Sequence, residues 1–388
     1  MTDDKTPKKS SKKIIKGTIQ KKPRLMHQNL DLFEETIETQ LFNLPGHRRG
    51  GFANASMVAS LIPWFEPNKK MVVRDGDTPA KLLDAEPIYF EVDELQCSIV
   101  RRAAVITLRH GKNKGQKVVR FPSEREFDVL EALMLIGTHE TGAIGAYQGQ
   151  SGVRFTLTIV RRYLKNKYNN DEIQEALDVL GGAKHTLRIK SEDRLIEMPD
   201  SILPITISGD QVVGEAMELN LETATHLVVL HPLITSAIAN LDMHQIHSSA
   251  VIESNSLLVR YLRKRLALRW TQASPSAPYR IKASTILTNY GYNPATASDK
   301  HFKLTARPVT RALETLSTGD NRIIESVLTE NIMSSSTGRK KIVDYIYTIY
   351  PVASFVEHQK RSLALSTEKH SLVGEAKALG VRVDQLKP

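Results

Sequence analysis

An order of predicted elements that occurs twice, helices followed by a β-hairpin, constrains the fold of this chain more than any other feature of its sequence. In the first occurrence, residues 123–126 have the capping-box form Ser-x-x-Glu, which predicts a helix directly after them. Two more helices are predicted around residues 157–164 and after Asn170. The alternating runs 185–190 and 194–198 then predict a hairpin. This order predicts a helix-turn-helix with a wing.

The same order recurs downstream. A long amphipathic helix is predicted over residues 255–270, followed by a short strand at 279–282 and a short helix from Ser284. Val309, Ala312, Leu313 and Leu316 have the spacing of the buried face of another helix, and two strand-like runs, 323–328 and 342–349, follow it. The sequence therefore predicts an α+β protein with tandem winged-helix domains.

Shifts in composition divide the chain into five parts. Residues 1–28 hold nine Lys or Arg and few apolar residues, which predicts a disordered basic tail. After the tail we expect an α+β region of unknown role over 29–121, a first winged-helix domain over 122–222, a second over 223–360 and a C-terminal tail over 361–388.

Several kinds of chemistry are not supported by the sequence. Cys97 is the only cysteine, so disulfides within the chain and cysteine-based zinc sites are excluded. The sequence contains no P-loop and no His-x-His pair. His244 and His247 have a spacing that could bind a metal on one helix face, but surface or capping histidines are the favoured interpretation. The glycines of the stretch 142–152 predict a flexible loop. We therefore expect no catalytic residue, no metal and no cofactor.

Membrane insertion is not expected either. No run approaches the roughly 20 apolar residues that a bilayer requires, and the lysine-rich N-terminus lacks the apolar core of a signal peptide. We expect a cytoplasmic protein.

Charge is segregated along the sequence. The net charge is +10, and residues 260–311 carry eleven Lys or Arg and a single acid. By contrast, residues 171–222 carry twelve acids and four bases. This distribution favours double-stranded DNA as the partner of the second unit.

The predicted reading elements lie in the second unit. Arg307 and Arg311 are the expected contacts to base edges, because arginine can bind guanine O6 and N7 with two hydrogen bonds. Pro308 suits the first turn of a helix, so we expect this helix to begin near Arg307. The other expected DNA contacts are Thr310, Lys300 and Lys303 beside them, Arg260, Arg263 and Lys264 on the long helix, and Arg339, Lys340 and Lys341 at the wing tip.

The first unit predicts a different role. Its third helix is expected to expose Asp171, Glu172, Glu175 and Asp178, which DNA phosphates would repel. We therefore expect Glu172 and Glu175 to contact a protein partner, or simply to be solvated. Arg161, Arg162 and Arg188 are candidate phosphate contacts, or ordinary surface charges.

The sequence resembles the replication initiators of iteron-type plasmids, in particular the TrfA-like or RepA-like group, over roughly residues 120–355. Three stretches carry the resemblance: Phe155-Thr156-Leu157 with the helix Asp171-Glu172-Ile173-Gln174-Glu175-Ala176-Leu177; Leu230-His231-Pro232-Leu233 with the helix Leu257-Leu258-Val259-Arg260-Tyr261-Leu262; and Thr310-Arg311-Ala312-Leu313-Glu314-Thr315-Leu316. The resemblance implies binding to repeated origin sites, a switch between dimer and monomer, local strand opening, and recruitment of a host initiator and helicase.

Two alternatives stay open. A winged-helix transcriptional regulator or autorepressor would share the charge and the fold, although no ligand-sensing domain is evident. An origin-nicking enzyme would need a catalytic domain within residues 30–120.

Overall fold

The computed structural model describes twelve stretches of the chain. They are residues 33–34, 52–65, 72–74, 85–92, 95–190, 195–208, 226–240, 243–254, 256–270, 278–292, 299–334 and 341–364. The predicted basic tail, residues 1–28, lies outside them, as do Arg339 and Lys340 and most of the C-terminal tail.

The elements before residue 205 include the three predicted helices and the predicted hairpin of the first unit. In chain order they are β1 (Phe33–Glu34), β2 (Ala53–Ser56), α1 (Met57–Leu61), β3 (Val72–Arg74), β4 (Ile88–Val92), β5 (Leu95–Arg102), β6 (Ala104–Thr107), β7 (Lys117–Arg120), α2 (Glu124–His139), β8 (Ile144–Tyr147), β9 (Gln150–Phe155), α3 (Leu157–Tyr163), α4 (Asn170–Gly182), β10 (Lys184–Lys190) and β11 (Leu195–Asp200).

The later elements contain the second set of helices and its hairpin. They are β12 (Ile205–Ser208), β13 (His226–Val229), α5 (Pro232–Ala239), β14 (Met243–Ile246), α6 (Ser248–Glu253), α7 (Leu257–Arg269), β15 (Tyr279–Lys282), α8 (Ala283–Tyr290), α9 (Asp299–Leu316), β16 (Ile324–Met333), β17 (Ile342–Pro351) and α10, residues 353–364.

The structure has a mixed α+β fold with small sheets. In the described residues the strand orders are β1-β8-β9-β13-β12, β11-β10-β5-β4, β14-β2, β15-β17-β16 and β3-β7-β6. All of these pairings are antiparallel. The sheets are too small to bury a core alone, so the helices pack on them to exclude water.

Helix α2 forms the centre of the first core. Its capping box is present, because the Ser123 backbone N–H donates to Glu126 Oε2 at 2.9 Å. All residues from Arg125 to Thr138 are buried, which makes α2 a central helix rather than a surface one. The core around it also contains Trp64, Phe90 and Ile99, so residues on both sides of position 121 share one core.

The glycine-rich stretch 142–152 is not a loop, which makes that expectation wrong. It forms the β8–β9 hairpin, in which Tyr147 pairs with Gln150. Gln148 (φ 50°) and Gly149 (φ 76°) form the turn, and two positive φ angles suit the twist of a two-residue hairpin.

The second core lies between α7, α8, α9 and the sheet β15-β17-β16. Leu262, Ile286, Leu313 and Tyr347 are buried together there. The predicted inward residues of α9, including Val309 and Leu313, are confirmed as buried.

Two hydrogen bonds are among the contacts that join this second core to the first. The Glu91 backbone N–H donates to the Asn289 side chain at 3.3 Å, which attaches α8 to β4. In addition, α10 contacts β14, whose Met243 belongs to the first core, and the Gln245 backbone N–H donates to Ser362 Oγ at 2.7 Å. None of the helices in the described part of the chain combines the length and apolar content needed to cross a membrane.

Candidate nucleic-acid interface

Helix α9 presents two arginines on its outer face. Val309, Ala312 and Leu313 bury its inner face, while Arg307 and Arg311, four residues apart, are exposed. Neither arginine has an acidic partner among the described residues. The two guanidinium groups are therefore free to contact an anion.

The start of α9 differs from the sequence expectation. The helix begins at Asp299 rather than near Arg307, and Pro308 lies inside it. Because proline cannot donate a backbone hydrogen bond, α9 lacks one internal bond at this position. Lys300 and Lys303 belong to the same helix, seven and four positions before Arg307.

Thr310 joins α9 to the hairpin behind it. Its Oγ1 lies 2.8 Å from the Tyr347 hydroxyl on β17, and either group can be the donor. Tyr347 is fully buried, and burial raises the pKa of its hydroxyl, so it stays a neutral phenol. Thr310 is thus engaged within the protein, and its main effect is to fix the helix that carries Arg307 and Arg311.

The β16–β17 hairpin lies beside α9. The ladder runs from Ile324 opposite Pro351 to Met333 opposite Ile342. Lys341 is exposed where β17 begins, and its backbone N–H donates to Ser334 Oγ at 3.2 Å.

The expectation that Arg260, Arg263 and Lys264 contact DNA phosphates is wrong, because all three are buried. Arg260 has no exposed surface, and its Nη1 lies 2.6 Å from Asp128 Oδ1 on α2. Lys264 pairs with Glu131, also on α2, and lies over the Phe127 ring at 4.8 Å.

Arg263 is equally inaccessible to DNA. Its Nη2 donates to the Asn321 carbonyl at 2.8 Å, and burial lowers its pKa to about 10, so it remains charged at neutral pH. Arg260 and Lys264 therefore attach α7 to α2, and Arg263 attaches α7 to the turn after α9, instead of contacting phosphates. The sequence held one indication of this pairing, because the spacing of Glu124, Asp128 and Glu131 places three acids along one face of α2.

The acidic helix α4 is largely neutralised by neighbouring cations. Glu175 was expected to be exposed, and this is wrong, because its carboxylate is buried. It accepts from Arg125 Nη1 at 3.0 Å and from the Arg109 backbone N–H at 2.6 Å. Burial alone would raise the pKa of the Glu175 carboxyl, but these hydrogen bonds and the charge of Arg125 lower it.

Glu172 is half-buried rather than free. It accepts from the Asn169 backbone N–H at 2.8 Å in a second capping box, so it stabilises the start of α4. Glu175 is therefore not available to a protein partner, whereas Glu172 keeps part of its surface exposed and its role as a protein contact stays a prediction.

The three arginines proposed for the first unit differ in their surroundings. Arg161 and Arg162 are exposed at the end of α3. Arg188 is also exposed, but its Nε lies 2.8 Å from Glu197 across the β10–β11 hairpin. Arg161 and Arg162 thus remain available for phosphate contacts, whereas Arg188 is paired.

Comparison with known proteins gives little further information. No protein-family model matches the chain, and no curated protein matches it. Among solved structures, the chain is similar to the crystal structure of domains 2 and 3 of RctB. The TM-score is 0.42 and the sequence identity 13%, and the match covers 81% of this chain and 98% of that one.

Proposed function

We propose that this protein binds duplex DNA without catalysing a reaction, and that α9 with the β16–β17 hairpin is its principal reading surface. The observation that carries the proposal is the free pair Arg307 and Arg311, exposed on a helix whose opposite face is buried. A helix of this kind fits the major groove, where arginine recognises guanine.

The surrounding elements support a winged-helix interpretation of this unit. The strand order β15-β17-β16 places the hairpin against the helices α7, α8 and α9. The Thr310–Tyr347 contact fixes the helix relative to the hairpin. A rigid helix beside a hairpin can occupy a groove and the adjacent backbone together.

We further propose that the biological role is initiation of plasmid replication at an array of repeated sites. This finer proposal draws on the resemblance of residues 120–355 to iteron-type initiators. It includes self-association and recruitment of a host initiator and helicase.

Footprinting on the DNA that flanks the gene tests the role. An initiator is expected to protect several direct repeats spaced near whole helical turns. Protection of a single site over the gene's promoter would instead favour a transcriptional regulator. Persistent nicking of supercoiled origin DNA in magnesium would contradict the non-enzymatic proposal.

A further inference from the structure

The β6–β7 hairpin carries cations that the reading surface of α9 does not use. Lys112, Lys114 and Lys117 are all exposed at or beside its turn. No acid of the described residues forms an ion pair with any of the three. By contrast, two other exposed cations are paired, Arg188 with Glu197 and Lys165 with Glu253.

The turn has a defined shape that projects these lysines. The Leu108 backbone N–H donates to the Gln116 carbonyl at 2.9 Å, and the Gly115 N–H donates to the Leu108 carbonyl at 2.8 Å. Gly111 (φ +77°) and Gly115 (φ +84°) adopt the left-handed conformation that glycine favours. A Cβ added at either position would meet nothing within 4 Å, so these two turn positions face open space.

The base of the hairpin is attached to α4. Arg109 Nη2 lies 2.9 Å from Asp178 Oδ2, and His110 Nδ1 lies 2.9 Å from Glu175 Oε1. These contacts orient the hairpin on the helix, and the Arg109 guanidinium offsets the charge of Asp178, which would otherwise repel a polyanion. The tip therefore presents three positive charges next to a helix whose negative charge is reduced.

We propose that this hairpin is a second DNA contact, in which Lys112, Lys114 and Lys117 bind the phosphate backbone of duplex DNA. Lysine contributes a point charge without base specificity, so the contact raises affinity for any sequence and positions the first half on the duplex. The proposal depends on the proposed DNA-binding function and adds a site to it.

Salt dependence tests the hairpin directly. Each phosphate that a cation neutralises contributes about 0.9 to the slope of log affinity against log salt concentration. The K112Q/K114Q/K117Q variant is expected to reduce the slope by about 2 to 3. Fluorescence anisotropy with a 30-base-pair duplex at 50–300 mM KCl measures this slope. The same reduction is expected for a specific and for a scrambled sequence.

The matched control is K112R/K114R/K117R, which keeps the charge and is expected to keep the slope. Circular dichroism of both variants checks that the lysine substitutions leave the protein folded. If the parent protein binds duplex DNA but the glutamine variant keeps its slope, the hairpin proposal is wrong while the proposed function stands. If the parent protein binds no duplex at 50 mM KCl, the proposed function itself fails.

Discussion

Arg260 on α7 and Asp128 on α2 form an ion pair with 2.6 Å between Nη1 and Oδ1, and neither side chain has any exposed surface. Asp128 also accepts from Lys167 Nζ at 2.9 Å and from the Tyr168 hydroxyl at 2.8 Å. Residues 132 positions apart in sequence thus meet at the junction of the two cores. This pair attaches α7, and with it the second core, to α2 of the first core.

Asp128→Asn is expected to destabilise the protein strongly. Removing one partner of a buried pair leaves an uncompensated charge, which costs about 3–5 kcal/mol. Urea unfolding measures the effect. Lys165→Ala is the control, since it breaks the exposed Lys165–Glu253 pair and is expected to cost under about 1 kcal/mol. Equal losses for both variants would mean that burial of the Asp128 pair has no special importance.

Arg311→Ala is expected to weaken specific DNA binding by about 1–3 kcal/mol, as loss of one bidentate base contact should. The effect on a scrambled duplex is expected to be smaller. Arg361→Ala, which removes an exposed arginine from α10, is the matched control for net charge. Identical affinities of Arg311→Ala and Arg361→Ala at fixed salt would remove Arg311 from the reading surface.

Thr310→Val tests whether α9 must be fixed to β17. The variant leaves the buried Tyr347 hydroxyl without its partner, at a cost of about 1–3 kcal/mol in unfolding free energy. The free energy of DNA binding is also expected to weaken, by less than the loss in unfolding free energy, because α9 is less well oriented in the variant. Thr315→Val serves as control, because Thr315 is exposed and its hydroxyl bonds only to its own helix, at the Arg311 carbonyl. The proposal that Thr310 positions α9 fails if both variants bind DNA equally.

Local sequence patterns predicted the elements well. The capping box at Ser123 and the apolar spacing around Leu313 each identify a helix from neighbouring residues alone. The cap of α4 lies at Asn169, one residue before the predicted Asn170. The exposure of Arg307 and Arg311 follows from the same spacing. Helix caps and apolar spacing depend on residues only a few positions apart, so they can be identified from the sequence alone.

The burial of Arg260, Lys264 and Glu175 could not be predicted in this way. A run of cations on a helix has the pattern of a solvated face until its partners are known. Those partners, Asp128, Glu131 and Arg125, lie 50 or more positions away. Only the tertiary arrangement decides that these charges meet each other instead of DNA or a protein.

Gly291→Ala probes the attachment of α8 to β4. Gly291 has φ +102°, and an added Cβ would lie 2.9 Å from Ile88 Cδ1. Gly319 provides the control, since its φ is +76° but an added Cβ would meet nothing within 4 Å. Both alanine variants are expected to lose about 1 kcal/mol or more from backbone strain. Thermal unfolding is expected to show a larger loss for Gly291→Ala, and equal losses would mean that the contact with Ile88 relaxes freely.

Acid is expected to destabilise the fold below about pH 6.5, well before most carboxylates are protonated. Burial lowers the pKa of His185 and His244 to about 3, and of His226 and His231 to about 4. Because the folded pKa lies below the unfolded value, only the unfolded chain binds these protons between about pH 4 and 6.5. The free energy of unfolding is therefore at its full value above the unfolded pKa. As the pH is lowered, it decreases by about 1.4 kcal/mol per pH unit for each histidine. Urea unfolding at pH 7.5 to 5 measures the slope of the unfolding free energy against pH. His244→Gln is expected to reduce this slope by the contribution of one histidine, about 1.4 kcal/mol per pH unit. If the urea midpoint did not change with pH over this range, the folded protein would bind as many protons at these histidines as the unfolded chain does, and the prediction would be wrong.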